Sequence, residues 1–322
     1  MRKLFATTVV SICLVALAGC SHATSSSPIP ATNHAALPKG VYGGIGPSAA
    51  ALLQVLLGDA PPNLGGKQMS ALNIAVKEVD GIENGNSTVL AQFSTPYVVN
   101  VLNEPGDGGQ VVANAQVNRS SYQELRIVVD LHSSTGVFSD GTSMPVNFQT
   151  NLPTLSTVSA GSNTTTSPAG PGSVAMVVNQ PFSIPQDGNN AVRVDFNAFE
   201  SLTLAPNGSL NAQPALFVAP IDDAGSIQGH VADGSGKAVQ NAVAVAYAAD
   251  GSIGNTASTD ANGNFQIHTL QAGSYTLRIY NHYTNAAGMS YSSTSGSSQQ
   301  YVSGPSATVL GGQDTNVGTI VD

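Results

Sequence analysis

Ser226-Ile227-Gln228-Gly229-His230-Val231, Asn241-Ala242-Val243-Ala244-Val245-Ala246-Tyr247, Phe265-Gln266-Ile267 and Ser274-Tyr275-Thr276-Leu277-Arg278-Ile279 each alternate in character every second residue. That period belongs to strands with one face on a core and the other toward water. Asp233-Gly234-Ser235-Gly236, Thr259-Asp260-Ala261-Asn262-Gly263-Asn264 and Gln271-Ala272-Gly273 separate them with residues that favour turns. Short strands at such intervals, punctuated by glycine, predict a small antiparallel sandwich over residues 221–322.

The same grammar extends upstream. Leu52 to Leu57 is an apolar run halted by Gly58-Asp59-Ala60-Pro61-Pro62, which suits a buried strand better than a helix. Ala71 to Val79 alternates, with Leu72, Ile74 and Val76 on one side and a solvated face opposite. Val98–Leu102, Leu125–Leu131, Val174–Val178, Val192–Phe196 and Ala215–Val218 supply further strands. The polar stretch from Ser156 to Ser173 reads as a mobile loop. The expected fold is all-β: two antiparallel β-sandwich-type domains in tandem, over residues 48–220 and 221–322. Composition agrees, since only 9% of residues are charged and the Glu and Lys of helical surfaces are scarce.

The amino end carries an address. Arg2-Lys3 precede an apolar run that closes on Leu17-Ala18-Gly19-Cys20, the layout of a bacterial signal peptide with a lipobox. Residues 1–19 are expected to be removed and Cys20 to be lipidated. Each buried acyl methylene contributes roughly 0.8 kcal/mol, so two or three chains hold a protein on a bilayer without a spanning helix. Ser21 is not the aspartate that favours inner-membrane retention in lipoproteins of this type, so it points toward an outer membrane where the cell has one. Residues 20–47 read as the lipidated end and a flexible tether, roughly 30 Å long on average as a coil. Gly44-Ile45-Gly46-Pro47-Ser48-Ala49 fits a dinucleotide fingerprint only by letter, because Pro47 interrupts it and no βαβ pattern follows.

Removal of the leader leaves 303 residues with 8 basic and 19 acidic side chains, a net charge of −11. No basic patch remains to neutralise phosphates, which excludes nucleic acid as a partner. Cys13 leaves with the leader and Cys20 carries lipid, so no disulfide can form and stability must come from apolar cores.

Two family resemblances follow from these residues. Leu56-Leu57-Gly58-Asp59-Ala60-Pro61, Asn73 to Val79, Ser120-Ser121-Tyr122-Gln123-Glu124-Leu125-Arg126, Val194-Asp195-Phe196-Asn197 with Ser201, and Gln213-Pro214 resemble a bacterial lipoprotein domain of unknown function. Ser120 or Ser121 stands for that family's usual glycine and Asn197 for its second acid. The resemblance implies a β-rich fold and brings no activity. The string running from Ile227 through Thr259-Asp260 and Phe265 to Leu277 is similar to the carboxypeptidase regulatory-like, transthyretin-like domain, with Ala238-Val239 in place of Pro-Val. That resemblance implies a folding or positioning accessory, of a shape shared with starch-binding modules.

Candidate chemistry is thin. Asp260, Asn262 and Asn264 suggest calcium, but the loop lacks an EF-hand's sixth-position glycine and twelfth-position glutamate. A hairpin turn, with Asp260 binding backbone N–H groups and Gly263 at positive φ, is the plainer expectation. His230, His268 and His282 alternate toward solvent on separate strands without zinc-ligand spacing, so no metal and no cofactor is expected. The chain has no G-x-S-x-G, no H-E-x-x-H and no available cysteine. Asp59 and Asp195 sit at strand ends as turn acids, with a catalytic role as the alternative. Tyr283, Tyr291 and Tyr301 lie among Ser, Gly, Asn and Gln and are the candidate ligand-binding residues, since tyrosine pairs a flat apolar face with a hydroxyl. The competing expectation is that Tyr291 and Tyr301 pair across a hairpin turning at Ser295-Gly296. The whole reading is a non-catalytic, lipid-anchored envelope protein with a glycan or another envelope protein as partner. Protein–protein assembly is the alternative and hydrolysis of an envelope polymer the minor one.

Overall fold

The computed structural model describes residues 51–59, 62–64, 67–103, 109–118, 121–149, 164–184, 189–285, 288–295 and 300–322. The leader, Cys20, the tether and the 44–49 glycine run lie outside the described residues, as do Pro61, Ser120 and Gly296. Among the described residues the chain is nearly all strand, with one short helix, Ala198–Ser201.

In the upstream module, the apolar run forms the strand Ala51–Gly58 at the centre of a four-stranded sheet. It pairs antiparallel with Gln110–Val117 and parallel with Asn189–Phe196, outside which lies Leu216–Pro220. A second, larger sheet is organised on the 17-residue strand Lys67–Glu83, which pairs with Asn86–Asn100, Glu124–Asp130 and Thr135–Phe138. Leu53, Val55 and Leu57 of the first sheet and Leu72, Ile74, Val76, Ile127 and Val129 of the second share one buried core. The expected solvated face holds only for part of Lys67–Glu83, because Ala75 and Asp80 on the other register are also fully buried. The hairpin from this strand turns at Asn84 and Gly85, both at positive φ, as a tight two-residue connection requires.

Two expectations need correction. The sheets are not purely antiparallel: Ala51–Gly58 with Asn189–Phe196, Ala224–Ala232 with Asp314–Val321, and Ser143–Phe148 with Leu210–Ala212 run parallel. Each of these pairs is joined through a long excursion of chain, the connection that parallel pairing needs and that local alternation does not report. The polar 156–173 stretch is not loop throughout. Thr164–Pro168 is a strand paired with Ser173–Val178, where β-branched threonines suit a pleated surface; residues 156–163 lie outside the described residues.

A charged pair crosses the larger sheet. Asp80 faces Arg126 in register and has no exposed surface. Arg126 donates through Nε to Asp80 at 2.6 Å and through a terminal nitrogen to Glu78 at 2.8 Å. Burial pushes the Asp80 carboxyl up from 3.8 to about 6, against the pull of the guanidinium. The fold therefore holds that proton more tightly than the unfolded chain does. Its contribution is fully present below pH 3.8 and is lost as pH rises to about 6. Arg126→Met is expected to cost about 2–3 kcal/mol at pH 7, less than a wholly buried pair because the guanidinium is partly solvated. The loss should be clearly smaller at pH 4, where the folded carboxyl is neutral; urea unfolding at the two pH values makes the comparison.

The downstream module is the predicted sandwich. Ala224–Ala232 lies between Asn264–Gln271 and Asp314–Val321 in one sheet. Ile253–Ser258, Val243–Ala248, Gly273–Tyr280 and Tyr301–Val309 form the other, in that order. Ile227, Val231, Ala244, Ala246, Phe265, Ile267, Leu277 and Ile279 meet between them, which are the inward positions the alternation assigns. In the Asp260 turn, Oδ1 of Asp260 accepts from the N–H groups of Asn262 and Asn264, both at 2.8 Å, and Gly263 has φ +78°. The acid is used as a turn former.

No linker separates the modules. Leu216–Pro220 passes through the turn at residues 221–223 directly into Ala224–Ala232. A third apolar cluster joins Phe199 and Phe217 from upstream to Val243, Val245, Ile253, Tyr280, Tyr283 and Tyr291 from downstream.

Candidate functional site

Parallel pairing of Ala51–Gly58 with Asn189–Phe196 sets Gly58 opposite Asp195, so Asp59 and the segment after Asp195 emerge at the same sheet end. Asp59 Oδ2 accepts from the Ala198 N–H at 2.6 Å, across 139 residues of sequence. Asn197 caps the short helix, its Oδ1 accepting from the Glu200 N–H at 3.0 Å. The Ser201 hydroxyl donates to Asn197 O at 2.6 Å and accepts from the Ala215 N–H at 2.9 Å, fixing where the closing strand begins. Three of the segments that carry the upstream family resemblance, at Asp59, at Asn197 with Ser201, and at Gln213, thus meet at one place.

That place faces the downstream module. Asn197 Nδ2 donates to Asn255 Oδ1 at 2.7 Å and to Thr256 O at 3.2 Å. Asn255 Nδ2 donates to Asp195 Oδ2 at 2.6 Å. Glu200, with no exposed surface, accepts from Thr256 Oγ1 at 2.9 Å and from the Tyr283 hydroxyl at 2.7 Å. Asn285 Nδ2 donates to the carbonyls of Phe199 and Leu202 at 2.6 and 3.0 Å. Burial pushes the Asp195 carboxyl up, while Arg193 and the Asn255 hydrogen bond pull the other way. Burial and the Glu200 charge raise the Tyr283 hydroxyl, keeping it a donor. Apart from Asp195 Oδ1, the buried groups of this network are hydrogen-bonded, and such a network fixes one geometry because any other arrangement strands more desolvated donors or acceptors.

Beside the network lies a cleft of ≈ 800 Å³. Gln228, His230, Gln266, His268 and Asn316 form one wall, the outward face of the three-stranded sheet, and Asp59, Asp195, Asn197 and Phe199 line the upstream side. Among the described residues, no Lys or Arg lines it. Amide, carboxylate and imidazole groups beside phenylalanine can bind a neutral, hydroxyl-rich ligand through paired donors and acceptors.

The sequence-predicted residues divide. Asp59 and Asp195 are brought together at the cleft, both buried, and both serve as acceptors in the junction. His230 and His268 share the cleft wall, whereas His282 is exposed on the Tyr283–Tyr291 hairpin and does not line it. Among the described residues no three metal-ligating side chains converge. Tyr283 and Tyr291 face each other in that hairpin and are buried against Phe199, with ring centroids at 6.2 and 4.4 Å from it. Their rings are spent on packing. Tyr301 pairs with Tyr280 rather than Tyr291 and keeps 39% of its surface exposed. Sequence reasoning missed Glu200, Asn255, Thr256 and Asn285. The Asn197-x-x-Glu200 spacing is a helix-start pattern that could have drawn attention to the first of these.

Two family models match the chain in the order of the modules. Residues 50–214 match the domain of unknown function DUF4382. That span is more than half of the chain, and the chain belongs to this family. Residues 226–319 match the carboxypeptidase regulatory-like domain. No catalytic family is among these matches. No curated protein matches the chain. Among solved structures, a proposed carbohydrate-binding protein from Pseudomonas aeruginosa is 16% identical, covering 32% of this chain and 90% of its own, with a TM-score of 0.22. The major pilin subunit BcpA of Bacillus cereus is 10% identical over 84% of this chain and 99% of its own, with a TM-score of 0.23. The minor pilin GBS52 of Streptococcus agalactiae is 11% identical over 85% and 95%, with a TM-score of 0.22. Superpositions at this level carry no argument about function.

Proposed function

We propose that this chain is a non-catalytic binding protein of the bacterial cell envelope, tethered by lipid on Cys20, whose junction cleft takes a neutral carbohydrate. The observation that carries the reading is the cleft's lining: amides, imidazoles and carboxylates, with no Lys or Arg among the described residues that line it. Vicinal sugar hydroxyls each donate and accept, which such side chains match. The volume suits a ligand of a few rings. Asp59 and Asp195 act as structural acceptors, since each is buried and bonded to the junction. The lipid supports the same reading from the sequence, by holding the cleft at a surface where glycans are found.

The test uses protein extracted from membranes, its intact mass read first and a neutral glycan array applied second. The expected mass lacks residues 1–19 and includes acyl chains. Binding should fall at least tenfold in Gln228→Ala and Gln266→Ala, whose side chains stand on the outward sheet face. An unacylated mass with residues 1–19 retained refutes the tether, and glycan binding indifferent to both substitutions refutes the cleft.

A further inference from the structure

The second sheet of the downstream module has an outward face that the junction covers only in part. Val243, Val245 and Tyr280 on that face are buried in the cluster with Phe199 and Phe217. Beyond the covered part, Tyr247, Arg278 and Tyr301 stand in a row across three neighbouring strands. The Arg278 guanidinium lies 4.6 Å from the Tyr247 ring centroid and 5.1 Å from that of Tyr301. The Tyr247 and Tyr280 hydroxyls are hydrogen-bonded to each other at 2.7 Å. Arg278 and Lys237 are the only cations between residues 221 and 322. Among the described residues, no carboxylate forms an ion pair with Arg278. Two rings hold the guanidinium flat and preorganised, and part of its five-donor fork is left for an incoming acceptor.

We propose that Tyr247, Arg278 and Tyr301 form a second binding site, separate from the junction cleft, for the carboxylate of an acidic sugar. A planar guanidinium recognises a carboxylate through two parallel N–H···O bonds. A sugar fits better than a peptide terminus because the surroundings are hydroxyls and an open ring: Thr276, Ser303 and Ser306 are exposed beside the half-exposed Tyr301. The chain's net charge of −9 restricts the ligand to an isolated carboxylate, since a densely charged polymer would be repelled. The cleft takes its wall from the three-stranded sheet and the edge strand Ile253–Ser258, whereas the row stands on Val243–Ala248, Gly273–Tyr280 and Tyr301–Val309; the two sites share no residue, so one can fail without the other.

The experiment is calorimetric titration of the detergent-solubilised full chain with a trisaccharide ending in glucuronic acid and with its glucose-ended twin. An acetylated tripeptide with a free carboxyl terminus is the third probe. The acidic trisaccharide is expected to bind at least tenfold more tightly than the other two. Arg278→Lys keeps the charge but loses the fork and the stacking, and should weaken that binding at least tenfold with an unchanged melting temperature. Should Arg278→Lys disturb the fold, Tyr301→Ala at the exposed end of the row carries the same comparison. Equal binding of the twins, a peptide that binds as well, or acidic binding that survives substitution overturns the proposal.

Discussion

Asn197→Ala is expected to lower the unfolding free energy by about 3 kcal/mol and to separate one urea transition into two. The side chain has two duties. Its oxygen caps the helix that holds Glu200, and a lost cap costs roughly 0.5–2 kcal/mol. Its amide nitrogen serves Asn255 and Thr256 in the other module, and stranding buried acceptors costs about 1–3 kcal/mol more. Because these bonds cross the junction, their loss weakens the coupling between modules as well as total stability. Six of the nine tyrosines lie between residues 247 and 301, so tyrosine fluorescence follows the downstream module while far-ultraviolet circular dichroism follows both. In the wild type the two probes should coincide, and in the variant they should part. Coincident curves with an unchanged midpoint would show that the polar contacts do not couple the modules.

Phe199→Ala should cost about 3–4 kcal/mol, toward the lower end for a phenylalanine truncation because the ring sits near the cleft. This ring stands against Tyr283 and Tyr291, and its removal leaves a gap that Tyr283 cannot fill without breaking its bond to Glu200. Phe199→Leu retains most of the volume and should cost no more than about 1.5 kcal/mol. The contrast is informative: a purely polar junction would make both substitutions nearly silent. Differential scanning calorimetry reads the effect as a lower melting temperature for Phe199→Ala, with Phe199→Leu close to the parent.

The strands were legible because alternation is written locally. Leu277 and Ile279 face inward, Thr276 and Arg278 outward, and no distant residue is needed to decide it. The Asp260 turn was legible for the same reason, since acid, amides and glycine lie within five residues. The parallel pairs were not, because parallel neighbours are distant in sequence and each strand's pattern is indifferent to its partner's direction. The tyrosine-rich stretch misled for a related reason. Residues 280–301 look like a recognition loop in isolation, but Phe199 and Phe217, far upstream, cover two of the three candidate rings.

Sequence by itself determined the all-β class, the order of the two modules and the inward face of each downstream strand. It did so through short-range periodicity and motif, where each residue's surroundings are set by its neighbours along the chain. Only the tertiary structure decided that Asp59, Asp195, Asn197 and Glu200 meet Asn255, Thr256 and Tyr283, that a polar cleft opens beside them, and that Arg278 lies between two rings. Those contacts join groups dozens of residues apart, and their partners are chosen by which strand ends the sheets bring together.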